Sequence, residues 1–513
     1  MRRDHIQLRL LAKQGDLGAR LKIGGLYLSG IEGLPRNIPM ALEYLRGAGS
    51  PTPDAAVIVA EQLTLDEILE HGQLDALQIA AARSATAGNK LAVWQLLTGE
   101  QDRGIRLLEQ SNEAGQQLLS LWRKLKGSSS ALLGLMTQAC HLYPMNTRVV
   151  ALSAFAICKE RGDQARMIDA LAVSLHGEDA AEETIYKAVV DVVAMAELSG
   201  QPLGEIGISS VQAALEHQAS HGNLSACYLL GRALAGIPCG SLPWQRLVGN
   251  TNFRKSSALL LRAADAGEAT AWLHLYRISS DNRSSVANPQ LARFCLEKAA
   301  ACDIAEAQRR LGALLMREAT TLTATERAIE LLHAAADHGD RHAGFLMQSL
   351  VLPIDGDEDW AWASITELQA TDPWLAMRLR LARHFGLTKQ EALSVDPSAG
   401  KRDWGLVVGH NPFIAHARLA SPRAIPATTP EALECLNAAA TFFSSNNQDF
   451  SAIEGSLRKR SLSQRRTFKR MGWSDETYFA TATSVERDAL RLGSKWAHRS
   501  KDVLSIALSE NPA

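Results

Sequence analysis

The sequence predicts an all-α fold built from helical hairpins. Three observations indicate it: a turn motif that recurs every 36 residues, apolar residues at helical spacing between the turns, and a composition poor in aromatic residues. Aromatic residues make up 5% of the 513 residues and hydrophobic residues 46%. This length allows about three domains of ordinary size or one long array, and the repeat favours the array.

The turn motif is clearest in the middle of the chain. Gly267, Asp303 and Gly339 stand 36 residues apart, and each is followed four residues later by alanine. Glycine readily adopts the left-handed backbone that ends a helix, and aspartate tolerates it better than most residues. The same frame returns upstream at Gly222 and, more weakly, at Gly88. These positions therefore predict turns between helices.

One unit shows how a hairpin forms. The segment from Ala305 to Glu318 has apolar residues on one helical face and predicts the first helix. Thr323 and Glu326 have capping-box spacing, which predicts the start of the second helix, and Gly339 predicts its end. Two helices of about 12 residues with short connections account for such a unit.

The spacing and residues resemble the SLR (Sel-one-like repeat) family, whose members are relatives of the tetratricopeptide repeat. The resemblance is carried by Lys298-Ala299-Ala300, Ala305-Glu306-Ala307, Leu311-Gly312 and, near the start, Ala19, Gly24, Tyr27 and Ala41-Leu42-Glu43-Tyr44-Leu45. It implies a right-handed α-solenoid that binds other proteins on a long surface. It also implies a bacterial assembly, secretion or regulatory pathway, and no catalytic residues.

Composition and pattern predict five segments. Residues 1–50 form an N-terminal repeat unit, 51–218 degenerate helical repeats, and 219–350 well-formed repeats. Residues 351–430 are a tryptophan-containing capping region with a connector, and 431–513 are a basic helical segment. The C-terminal part is therefore expected to be mostly helical.

Within the C-terminal part, three local patterns give more specific predictions. Gly405 to Gly409 reads as a short strand. Ala420 to Pro430 is rich in proline and reads as an extended connector. A helix is expected to begin at Pro430 and continue through Phe443.

Four tryptophans lie close together in a chain otherwise poor in aromatics. They are Trp360, Trp362, Trp374 and Trp404. One interpretation is a partner-binding pocket, because tryptophan is enriched at binding hot spots. The favoured alternative is a compact core or cap over the last repeat, since the ends of repeat arrays must be covered. Trp360, Trp362 and Trp374 are the candidate partner-binding residues.

A basic run near the C-terminus is the strongest local charge feature. Its cations are Arg458, Lys459, Arg460, Arg465, Arg466, Lys469 and Arg470. Residues 451–513 carry 12 Lys or Arg and 7 Asp or Glu, so this segment is net +5 while the whole chain is net -1. The run is interpreted as a solvated helix face, an acidic-protein contact, a nucleic-acid contact or a membrane-surface contact.

A histidine pair raises the possibility of a metal site. His217 and His221 are four residues apart, so one helical face would carry both imidazoles. A zinc site needs further ligands, and the sequence identifies none. A metal-dependent enzyme around this pair is therefore kept as an alternative, although no nucleophile motif or phosphate-binding loop supports catalysis. No cofactor is expected.

The leading functional hypothesis is a non-enzymatic scaffold or adaptor that binds a protein or peptide partner. A nucleic-acid-associated regulatory protein using the basic segment is the main alternative. Seven cysteines without CxxC spacing favour a reducing cytoplasm. No apolar run of about 18 residues and no signal-like N-terminus are found, so no transmembrane segment or secretion is expected.

Overall fold

The computed structural model describes residues 3–31, 33–46, 52–125, 131–176, 182–409, 411, 414, 419, 421–445 and 454–483. The chain divides into two compact units, Met1–Gly267 and Glu268–Ala513. Helices that follow one another along the chain pack together in both units, as expected for helical hairpins. The predicted all-α class of helical hairpin repeats is confirmed.

The described residues of the first unit form helices and the connections between them. Its α-helices are α1 (Arg3–Lys13), α2 (Leu17–Ser29), α3 (Ile38–Leu45), α4 (Pro53–Gln62), α5 (Leu65–Glu70), α6 (Leu74–Ala81), α7 (Ala85–Leu97), α8 (Gln101–Glu109), α9 (Glu113–Leu125), α10 (Ala131–Leu142), α11 (Thr147–Arg161), α12 (Gln164–Ser174), α13 (Glu183–Ser199), α14 (Ile208–Ser220), α15 (Leu224–Leu234) and α16 (Phe253–Asp265). A 3-10 helix, Trp244–Arg246, lies in the long connection between α15 and α16.

The second unit combines hairpins with a small sheet. Its elements are α17 (Ala269–Ser280), α18 (Pro289–Ala301), α19 (Ala305–Glu318), α20 (Leu322–Asp337), α21 (Arg341–Gln348), α22 (Glu358–Leu368), α23 (Pro373–Phe385), α24 (Lys389–Ser394), α25 (Pro397–Gly400), β1 (Lys401–Arg402), β2 (Gly405–Val408), β3 (Arg423–Pro426), α26 (Pro430–Ser445) and α27 (Leu457–Met471). We call residues 269–348 the second-unit hairpins and residues 358–483 the C-terminal module.

The predicted turns are largely confirmed. Gly222, Asp303 and Gly339 adopt positive φ angles of 87°, 58° and 88°, the conformation that ends a helix. Gly88 is an exception, because it lies inside α7 rather than in a turn. The start of α20 also differs from the prediction: Thr321 is the N-cap residue, and its side chain accepts a hydrogen bond from the Ala324 N–H.

Glycine allows close helix packing inside the hairpins. A Cβ added to Gly24 would lie 2.6 Å from Leu45 Cγ, and one added to Gly312 would lie 2.9 Å from Leu332 Cγ. In both hairpins a leucine of the second helix therefore occupies the space that a larger side chain on the first helix would need. The alanines after the turns, such as Ala307, are fully buried and pack in the same way.

The C-terminal module contains an antiparallel three-stranded sheet in the order β1-β2-β3. Successive residues of a strand point to opposite faces. Leu406 and Ile425 pack into the core formed by the helices of the module. Val407 and Ala424 pack with α20 and α21, and Trp404 joins them there. The sheet thus covers the last hairpin with one of its faces.

The sheet corrects one local prediction and agrees with two others. Residues 405–408 form a strand and 430–445 form a helix, as predicted. The expected connector at 420–430 instead contains β3, which pairs with β2 through residues 423–426. Proline misled the prediction because Pro426 lies in an edge strand, where a missing N–H is tolerated. The part of the predicted basic segment beyond residue 483 lies outside the described residues.

Among the described helices, none is both long enough and apolar enough to cross a membrane.

Candidate functional site

The basic run forms a helix with one buried face. Helix α27 ends at Gly472, whose φ of 71° terminates it in the left-handed conformation. Arg460, Gln464 and Phe468 recur every four residues and are buried, as a single face of a helix requires. Helix α27 contains no acidic residue, so its basic charge has no compensation within the helix.

Arg460 belongs to the buried face and not to the surface. Its guanidinium donates to the Leu393 and Gly455 carbonyls, both at 3.1 Å, and lies 3.4 Å from the Glu454 carboxylate. The same carboxylate accepts two hydrogen bonds of 2.7 Å from Arg378. Burial and the nearby charge of Arg378 lower the pKa of Arg460 to about 10. Arg460 is thus an anchor of the helix, which corrects its assignment as a partner-binding residue.

The other buried residues fix α27 against the rest of the module. The Gln464 amide donates to Asp475 at 2.8 Å, and the second oxygen of Asp475 pairs with Lys389 at 2.7 Å. The Phe468 ring packs against Trp473 and Tyr478, with ring centroids 5.6 Å and 5.2 Å apart. Together with Arg460 near the start of the helix, these contacts hold α27 in one orientation, so its outer face is fixed as well.

The outer face of α27 presents six exposed cations. They are Arg458, Lys459, Arg465, Arg466, Lys469 and Arg470. No salt bridge joins any of the six to a described residue. Positions i, i+7 and i+11 nearly align along a helix. The cations therefore form two rows, one of 458, 465 and 469 and the other of 459, 466 and 470, each about 16 Å long.

The three candidate tryptophans occupy different environments. Trp360 is 46% exposed, and its ring lies 6.2 Å from that of Trp473, just after α27. Trp362 packs against the module core and the His384 ring at 4.7 Å. Trp374 packs against Phe442 at 4.9 Å. Trp360 therefore lies next to the end of the basic helix through the aromatic cluster, and Trp374 lines a cavity together with Arg460 and Gln464 of that helix.

The histidine pair is in place but does not form a metal centre. The His217 and His221 rings stack with centroids 4.2 Å apart, and His221 Nδ1 lies 2.9 Å from the His217 carbonyl oxygen. Throughout the described residues, no group of three or more His, Cys, Asp or Glu side chains is arranged to hold a metal ion. The pair has the expected spacing, yet the part of the chain that the structure describes supplies no third ligand.

Sequence reasoning missed the residues that position the basic helix. Arg378 and Glu454 lie 76 residues apart in the chain, and no motif links them. The sequence carries one signal. Gln464 is uncharged and lies four residues before Phe468, which is the spacing of residues on one face of a helix.

Comparisons with known proteins return structures but no sequence relatives. No family model matches the chain, and the search of curated proteins finds no match. The chain is similar to a protective antigen of uropathogenic Escherichia coli strains that displays an SLR fold, at 17% identity and a TM-score of 0.30, over 94% of this chain and 98% of that one. It is also similar to a Sel1 repeat protein from Oxalobacter formigenes, at 18% identity and a TM-score of 0.26, over 67% and 89% of the two chains. What this chain binds is therefore inferred from its own side chains.

Proposed function

We propose that this chain is a non-enzymatic adaptor that binds an acidic segment of a protein partner along the outer face of α27. The observation that carries the proposal is the set of six exposed cations without an ion pair to any described residue. An uncompensated cationic surface on a fixed helix favours association with a complementary acidic surface. The cytoplasmic location expected from the cysteine content is part of this proposal, and all seven thiols are unpaired.

Chemistry and spacing favour a protein partner. Four of the six cations are arginines, whose planar guanidinium binds carboxylates in a bidentate geometry. Within one row, Arg466 and Arg470 are separated by about 6 Å along the helix axis, which matches carboxylates one turn apart on an acidic helix. Two rows allow several such contacts at once, so affinity would come from their combination rather than from one ion pair.

Trp360 adds an apolar contact beside the basic helix. A half-exposed tryptophan next to a charged surface is the arrangement typical of a binding hot spot. Trp362 and Trp374 are less available because they pack into the module core. Within this proposal Trp360 is the aromatic anchor.

The test compares two variants that remove equal charge. The first carries Arg465→Gln, Arg466→Gln, Lys469→Gln and Arg470→Gln. The control carries Arg254→Gln, Arg262→Gln, Arg317→Gln and Arg341→Gln, four exposed arginines on other helices. Fluorescence anisotropy then measures binding of a labelled 15-residue glutamate-rich peptide to the full chain. We expect the α27 variant to weaken binding at least about tenfold, corresponding to about 1.4 kcal/mol, and the control to change it little.

Salt and nucleic acid separate the alternatives. Binding to the acidic peptide should weaken as ionic strength rises. A labelled 20-nucleotide single strand serves as the competing probe. Tighter binding of the nucleic acid, lost in the α27 variant alone, would replace the proposal with the nucleic-acid alternative. Equal loss in both variants would show that only overall charge matters, which contradicts a specific site.

A further inference from the structure

The first unit contains a large groove that the proposed function does not use. It is formed by α6, α7 and α8 and has a volume of about 810 Å³. Such a volume lies within the range of sites that accept a peptide or a drug-sized ligand. All of its lining residues belong to the first unit, so the groove is a surface separate from the basic helix.

Small side chains line the groove where α6 meets α7. Ala81, Ala82, Ala85 and Gly88 contribute no side chain larger than a methyl group. A Cβ added to Gly88 would lie 3.6 Å from the Ala81 carbonyl oxygen, an ordinary contact. The absence of a side chain at Gly88 is therefore not required by packing within the fold. It leaves space for the backbone of a ligand to approach.

Three glutamine side chains surround this space. Gln78, Gln95 and Gln110 line the groove, and an amide group both donates and accepts hydrogen bonds, as a peptide backbone requires. The side chains of Gln78 and Gln110 are exposed, so a peptide lying in the groove can reach their amide groups.

The charges in the groove are mainly positive. Glu100 is its only lining carboxylate among the described residues, and it is already paired with Arg103 at 2.9 Å and Arg161 at 3.2 Å. Arg106 is exposed and forms no salt bridge with a described residue. After this pairing, an excess of positive charge faces the groove, which favours an acidic occupant.

We infer that the groove binds an extended acidic peptide segment. The glutamine amides hydrogen-bond the peptide backbone, the small residues allow it to lie close to α7, and Arg103 and Arg106 contact its carboxylates. This inference goes beyond the proposed function because it adds a second binding surface. An adaptor that joins two segments needs two such surfaces.

The experiment uses a displayed library of random 12-residue peptides, selected on the full chain. The selected chain carries Gln at all six exposed cationic positions of α27, so the basic helix does not contribute. We expect enriched peptides with net negative charge. Anisotropy of labelled copies should show about tenfold weaker binding to Arg106→Gln, as expected for the loss of a charge-assisted contact. Arg254→Gln, an exposed charge outside the groove, should not change it.

One further variant separates binding from folding. Ala85→Trp changes an exposed position and should abolish binding by filling the groove while the thermal midpoint is retained.

Three outcomes would overturn the inference. They are selection of neutral or basic peptides, no enrichment at all, or acidic peptides that bind Arg106→Gln and Ala85→Trp as tightly as the parent. None of these outcomes depends on whether α27 binds a partner, because the selection is made without the six exposed cations of that helix. A failed α27 test likewise leaves the groove untouched.

Discussion

The second-unit hairpins and the C-terminal module bury different kinds of side chain. The hairpin core around α18 and α19 consists of leucines and alanines, such as Leu296 and Ala307. The module core contains Phe385, Phe443, Phe468 and other aromatic rings, and charged groups are buried beside it. Both regions also bury arginines that pair with carboxylates. Their apolar packing is what differs: the hairpins depend on small residues that let helices approach, whereas the module depends on a few large aromatic groups.

This difference determines which substitutions each region tolerates. Alanine and leucine contacts are numerous and individually weak. The sequences of two hairpins can therefore differ while both still pack. In the module, the Glu454 carboxylate is shared by Arg378 and Arg460, and Arg423 pairs with Glu391 at 2.7 Å. A buried charge that loses its partner is strongly destabilising, so these ion-paired positions should be more sensitive to substitution than the alanine and leucine positions of the hairpin core.

The largest expected effect follows from removing the shared carboxylate. Glu454→Gln leaves two buried guanidinium groups without a counter-charge and should lower the free energy of unfolding by about 3–5 kcal/mol. Urea denaturation followed by tryptophan fluorescence measures it. Glu476→Gln, at an exposed position of the same module, is the matched control and should have little effect.

A triple variant sharpens the same comparison. Replacing Arg378, Glu454 and Arg460 with methionine removes all three charges and keeps apolar volume. If the cost of Glu454→Gln comes from unpaired charge, this variant should recover most of the stability. A triple variant as unstable as Glu454→Gln would show that the module needs the ion cluster itself.

A buried charge in the first unit should behave differently, because no described carboxylate forms a salt bridge with it. Lys90 is 5% exposed, and its ammonium donates to the Ala60 and Leu63 carbonyls at 2.7 Å. Burial lowers its pKa from 10.5 to about 8. Between these pH values the unfolded chain binds more protons than the folded one, so this group makes the protein more stable as pH rises.

The measurement is the difference between the parent chain and Lys90→Met from pH 7 to pH 10.5. Other groups titrate equally in both proteins and cancel. The parent should gain about 3 kcal/mol of unfolding free energy relative to the variant over this range. A difference that is flat with pH would contradict a lowered pKa at Lys90.

The smallest of these effects tests the packing of the hairpins. Gly312→Ala places a methyl group 2.9 Å from Leu332 Cγ and 3.0 Å from the Ala328 carbonyl oxygen, and should destabilise by about 1–3 kcal/mol. Gly344 is also helical but has no atom within 4 Å of an added Cβ. Gly344→Ala should therefore stabilise by about 0.5–1 kcal/mol. Equal effects of the two substitutions in thermal denaturation would contradict close packing at Gly312.

The hairpins were predictable from sequence because their signals are local. The turn at Asp303 and the helix Ala305–Glu318 were read from positions within one repeat. The candidate site was predictable in part: the basic run marked α27 correctly, but it gave no reason to separate Arg460 from its neighbours. That separation depends on Glu454 and Arg378, whose contact spans the module and leaves no periodic pattern.

The groove was hidden by the repeat frame itself. Gly88 matches the turn motif weakly. The repeat frame therefore predicts a turn at this position, where the structure has a helix. The local sequence around Ala85 begins α7 after the N-cap residue Ser84, which places Gly88 in the first turn of that helix. The spacing of a repeat motif along the sequence indicates where repeats begin, but it does not show which helix faces line a groove.

Helix α27 has one buried face and one cationic face, and this limits which experiments can test partner binding. Phe468 lies in the module core together with Tyr478 and Phe479 from the segment that follows the helix, while the cations are on the opposite side. Cutting the chain before Glu454 would therefore remove interior packing along with surface charge, and lost binding would report a damaged interior. Substitutions confined to the two cationic rows keep the interior whole, so they isolate recognition from folding.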